Sequence, residues 1–160
     1  MKTAFIATIA TAVSAAASDF PSLDSLHASC TLTFNVASSC ADVYTALDTT
    51  AKALTPGSDV SGGIYAIKEE TANDYIWVTR TTPVKQYVDD IMFTVSGTGD
   101  ACTIQTKSRS ETLSYYDYDT NYCNQYNMFR YSGLTFAAPK LDSCKWAPAA
   151  ADIDTTCNTY

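Results

Sequence analysis

The sequence predicts an α+β domain: an antiparallel sheet of about four to five strands, two helices gathered on one face, and disulfides holding the whole together. Three observations lead there. Segments of strand length with alternating or β-branched composition follow one another, most of them across short turns. Two segments repeat apolar residues at helical spacing. All six cysteines, Cys30, Cys40, Cys102, Cys123, Cys144 and Cys157, lie beyond an apolar N-terminal run, an even number that reads as three bridges in an oxidising compartment.

Met1 and Lys2 precede an apolar stretch from Ala4 to Val13 and the small residues Ala15, Ala16 and Ala17. This is the pattern of a secretory signal cleaved after Ala17, which leaves 18–160 as a single domain with an irregular C-terminal segment. The run is too short to cross a bilayer of roughly 30 Å, so no membrane span is expected.

Cys30 to Val36 alternates Leu32, Phe34 and Val36 against polar residues, the period of a half-buried strand. Ser38 or Ser39 then offers an N-cap oxygen, Asp42 complements the positive helix start, and Val43, Tyr44, Leu47, Ala51 and Leu54 recur at helical spacing. This helix, Cys40 to Leu54, stops at Thr55, Pro56 and Gly57. Ile64 to Glu70 and Tyr75 to Thr82 form a hairpin across Ala72, Asn73 and Asp74. Pro83 ends the second strand because it has no N–H for a ladder.

Tyr87 to Val95 follows, with Ile91, Phe93 and Val95 on one face. After the turn Ser96 to Asp100 comes Ala101 to Ser110, where Cys102 and Ile104 face inward and Lys107 and Arg109 share the other side. Asp119, Thr120 or Asn121 caps a second helix carrying Tyr122, Tyr126 and Phe129, closed by Gly133. Beyond it no period is sustained, and the segment is expected to be clipped down by Cys144 and Cys157. Spacing leaves all 15 cysteine pairings open.

Charge narrows the partners. Ten basic and seventeen acidic residues give a net charge of -7. Nucleic-acid binding needs a basic patch and an anionic membrane surface needs cations, so both are disfavoured; neutral or cationic ligands, glycans and proteins remain. No CxxC pair is present and the only histidine, His27, stands near the expected N-terminus in a segment read as mobile, so neither a metal, a cofactor nor a Ser-His-Asp centre is expected.

The stretch richest in chemistry runs from Lys107 to Asn127. Tyr115, Tyr116 and Tyr118 offer rings for stacking, and with Asp117, Asp119 and Arg109 they form the candidate ligand-binding set. Asp117, Asp119 and Asn121 have a D-x-D-x-N spacing compatible with Ca²⁺, but Tyr122 and Met128 stand where an EF-hand loop needs glycine and glutamate, so a turn with a helix cap is favoured. Asp89, Asp90, Glu111 and Asp117 are the carboxylates a hydrolase would draw on. Asp89 and Asp90 point to opposite faces of a strand, and one of them is expected to hold Arg80 or Arg109 in a structural ion pair.

The stretch from Tyr75 to Asn127, through its runs Tyr75 to Val95 and Thr103 to Asn121, resembles a family of small domains of unknown function, DUF1499. The markers are Asp89 and Asp90, Ser108, Arg109 and Ser110, then Asp117 and Asn121. Family members carry glycines where this chain has Leu113 to Tyr116 and Tyr118, and basic residues where it has Cys123 and Asn124. The resemblance implies the fold and the region of interest and carries no reaction. The expectation is a secreted domain that binds a small ligand, glycan or protein without catalysis. A carboxylate-dependent hydrolase and an interaction protein without a pocket are the alternatives.

Overall fold

The computed structural model describes residues 19–54 and 58–160. The expected signal at 1–17 and the helix stop at Thr55, Pro56 and Gly57 lie outside the described residues. The chain runs β1 (Ser29–Val36), α1 (Cys40–Ala53), β2 (Ile64–Thr71), β3 (Tyr75–Thr81), β4 (Val88–Thr98), β5 (Ala101–Ser110), α2 (Thr120–Ser132), β6 (Lys140–Cys144) and α3 (Ile153–Cys157), the last entered through a 3-10 turn at Ala150–Asp152. The strands form one sheet in the order β2-β3-β4-β5-β1-β6, and every neighbouring pair is antiparallel.

The class is the α+β expected, but the described residues form a sheet of six strands and three helices where four to five and two were expected. Both additions fall in the segment read as irregular. β6, KLDSC, is almost wholly exposed and so has no inward face to impose an alternating pattern. It is a strand because it pairs with β1 at the sheet edge and is tied there by Cys30–Cys144.

α1 starts where Ser39 accepts a hydrogen bond from the Asp42 amide, and it lays Val43, Tyr44, Leu47 and Ala51 on the sheet. α2 packs beside it. Leu32, Phe34, Ile76, Val78, Ile91, Phe93 and Ile104 rise from the strands into the same core as Tyr122, Met128 and Phe129 of α2. Phe34 stacks on Phe129 with ring centroids 3.8 Å apart. Cys40–Cys102 staples the start of α1 to β5, and Cys123–Cys157 fastens α3 to α2.

The other face of the sheet is covered in part by the segment before β1. Phe20 lies against Trp77 at 5.4 Å, beside Tyr75 and Met92. Arg109 pairs with Asp24 at 3.2 Å, and its Nη2 lies 2.8 Å from the His27 ring. His27 is therefore held on the sheet by Asp24 and Arg109, a correction to the mobile segment expected around it.

Candidate functional site

Antiparallel register builds the site. Tyr65 of β2 stands opposite Arg80 of β3, Arg80 opposite Asp89 of β4, and Asp89 opposite Ser110 of β5. Residues directly opposite in such pairs project to the same face. Four strands thus set a row of Tyr65, Arg80, Asp89 and Ser110 at one end of the sheet on its helix-bearing side, all buried.

From β5 the row continues into α2. Ser110 Oγ donates to Asp89 Oδ1 at 2.7 Å, and Asn124 Nδ2 donates to Asp89 Oδ2 at 2.8 Å. Asn121 Nδ2 donates to Asp117 Oδ2 at 2.8 Å and reaches Ser110 Oγ at 3.3 Å, while Ser108 Oγ donates to Asn121 Oδ1 at 2.6 Å. Farther along, Thr106 Oγ1 donates to Gln125 Oε1. Asp89 and Asp117 are therefore linked through Ser110 and Asn121. Burial pushes the Asp89 carboxyl above its ordinary range against the opposing hydrogen bonds of Ser110 and Asn124 and the charge of Arg80. Burial does the same to Asp117 against the hydrogen bonds of Asn121.

Arg80 is only 1% exposed. Its Nη2 donates to Ser61 Oγ at 2.5 Å and meets Asp59 Oδ2 at 3.4 Å, whereas Nε and Nη1 have no hydrogen-bond partner among the described residues. Gly63 makes room for the guanidinium, since a Cβ at that position would stand 2.5 Å from Nε.

A pocket of about 600 Å³ opens over this row. Arg80, Asp89 and Ser110 line it together with the β3–β4 connection around Pro83 and Val84, the 112–118 loop, and Thr159 and Tyr160 near the chain end. At its mouth Tyr115, Tyr116 and Tyr118 are 65%, 60% and 67% exposed. Tyr116 packs against Trp146 at 5.4 Å and edge-on to Tyr115 at 5.1 Å.

Of the candidate set, Tyr115, Tyr116, Asp117 and Tyr118 line this pocket. Asp119 does not; it lines a shallower hollow with Tyr118 and Trp146. Arg109 lies on the opposite side of the sheet, because its odd position on β5 turns it away from Ser108 and Ser110. The ion pairs expected with Asp89 and Asp90 are replaced by Arg80–Asp59 and Arg109–Asp24. Asp90 instead binds Lys68 at 3.0 Å and the Trp77 indole N–H at 2.7 Å, and Glu111 stands 3.7 Å from the same Lys68, so neither shares the pocket.

Asp119, one of the three residues expected there, takes the N-cap position of α2, but its side chain makes no capping bond; Asp117 supplies the acceptor instead, receiving the amides of Asp119 and Asn121. Those bonds, with Tyr118 and Asp119 both at positive φ, define the turn drawn from the D-x-D-x-N spacing. Among the described residues no group of three or more His, Cys, Asp or Glu side chains is placed to hold a metal ion.

Arg80 and Ser110 on the pocket floor, and Asn121 and Asn124 that hold Ser110 and Asp89 from behind it, are not among the expected ligand-binding residues. One signal was present: Thr106, Ser108 and Ser110 continue the inward period of Cys102 and Ile104, so three hydroxyls had to meet something polar. A family model described as protein of unknown function (DUF1499) matches residues 7–128 of the chain. No curated protein matches it.

Proposed function

We propose that this chain, which belongs to the DUF1499 family of proteins of unknown function, is a secreted binding protein whose tyrosine-rimmed pocket takes a small organic ligand without transforming it. The observation that carries the reading is the pocket itself. Its volume of about 600 Å³ suits a small molecule, its mouth is aromatic, and its floor holds a few convergent polar groups. Three disulfides support a location in the secretory pathway or outside the cell. Among the described residues no helix is long and apolar enough to cross a membrane.

The test is a screen of small organic compounds and short glycans by thermal shift and intrinsic fluorescence. A ligand that binds only the folded state raises the unfolding midpoint, by an amount that grows with concentration over Kd. A ligand seated at the tyrosines also changes the Trp146 and tyrosine emission. A midpoint that stays fixed across the panel removes the reading and favours an interaction protein without a ligand.

A second reading, a carboxylate-dependent hydrolase, is favoured by one specific feature: Asp89 and Asp117 line one pocket and are joined through Ser110 and Asn121. A carboxyl raised by burial can serve as a general acid. Turnover of chromogenic glycosides or esters that disappears in Asp89→Asn would establish it in place of simple binding.

A further inference from the structure

We propose that Arg80 receives the carboxylate of a ligand with an apolar body, so that the pocket is selective for small organic acids. The inference rests on the binding reading above and specifies its ligand class. A guanidinium has five N–H donors, and a buried cation with idle donors is destabilising unless a partner arrives. Among the described residues only Nη2 of Arg80 has hydrogen-bond partners; Nε and Nη1 have none, the guanidinium meets the Tyr65 ring at 5.9 Å, and the side chain lines the pocket at 1% exposure.

The neighbouring carboxylates are already committed. Asp59 accepts from Ser61 Oγ at 2.6 Å, from the Ser61 amide at 3.2 Å and from the Gly63 amide at 3.0 Å, which leaves a long 3.4 Å contact to Arg80. Asp89, directly across the strand pair, directs its oxygens to Ser110 and Asn124, and burial favours its protonated, uncharged form. Gly63 preserves the space around the guanidinium.

The rest of the lining describes the ligand. Pro83, Val84, Leu113 and Tyr116 give it apolar walls, and Lys85 supplies a second positive charge. The net charge of -7 opposes a phosphate dianion more strongly than a monoanion. A single carboxylate is the anion these charges admit.

The experiment titrates the wild-type protein at neutral pH with phenylbutyrate, naphthylacetate and decanoate, each beside its primary amide, and with inorganic phosphate. Binding is read by fluorescence and unfolding midpoint. Acids are expected to bind at least about tenfold more tightly than their amides, and Arg80→Gln is expected to remove that preference. Should Arg80→Gln lack native circular dichroism, Gly63→Ala, which drives a Cβ against the guanidinium, takes its place and is expected to reduce the same preference.

Equal binding of acids and amides overturns the carboxylate site and leaves the binding reading in place. Phosphate acting as strongly as the acids overturns the assignment to an organic carboxylate. If none of these compounds binds while other members of the wider screen do, the inference fails alone; a silent screen removes both.

Discussion

Asp89 carries a carboxyl at a place where burial opposes its charge. Its folded pKa lies above the ordinary 3.8, so between that value and the raised one the folded protein holds a proton the unfolded chain has released. Stability from this group is therefore present at low pH and declines as pH rises through the window. Asp89→Asn keeps an acceptor for Asn124 and offers Ser110 an N–H, and it should flatten that decline. Urea unfolding of both proteins from below 3.8 to neutrality checks this, and parallel profiles would show that Asp89 titrates as an ordinary carboxylate.

Tyr118, at φ 51°, sits in the left-handed region that costs a non-glycine residue roughly 1 kcal/mol or more. The resemblance to the family places glycine in this stretch. Tyr118→Gly should thus raise stability by up to about 1 kcal/mol while weakening ligand binding, a trade common where strain serves a site. A variant that gains stability and binds equally well would assign Tyr118 no part in the pocket.

At the scale of elements, α2 shows what the sequence made legible and what it hid. Its apolar positions Tyr122 and Phe129 recur at helical spacing and are buried as that spacing requires. Asn121, Asn124, Gln125 and Asn127 are just as buried, and periodicity of apolar residues is blind to them. Asn121, Asn124 and Gln125 are inside because β5 presents Thr106 and Ser108 as partners at the same interface, and Asn127 because it meets the carbonyls of Cys157 and Tyr160. The hairpins were legible because each strand's inward set alternates; β6 was not, because both its faces meet solvent.

α3 depends on a different constraint. Cys123–Cys157 closes 34 residues of chain, and Asn127 Nδ2 donates to the carbonyls of Cys157 and Tyr160. Replacing both cysteines by alanine should cost about 3–4 kcal/mol by restoring freedom to the unfolded chain. It should also loosen Thr159 and Tyr160 at the pocket. Guanidinium unfolding together with a ligand titration checks both effects, and unchanged affinity in the folded variant would show that the chain end contributes no wall.

At the scale of the molecule, the antiparallel sheet separates two environments that the sequence placed in one cluster. Arg109 and Ser110 are adjacent in the chain, yet one meets Asp24 on one face while the other meets Asp89 on the opposite face. The same parity sends Asp90 to Lys68 and Asp89 to the pocket. Composition located the region and the strand period could divide it. The partner of Arg80 was beyond reach, because Asp59 comes from a glycine-bearing loop with no period of its own and is brought to β3 only by the fold.

The covering of the second face by Phe20, Asp24 and His27 has a practical side. Phe20 packs on Trp77 across the sheet from the pocket, whereas Tyr160 forms part of the pocket wall. A purification tag or surface tether attached after Tyr160 would crowd the ligand's doorway. One attached ahead of the N-terminal strap would leave that doorway clear, so immobilised binding assays are best oriented from that side.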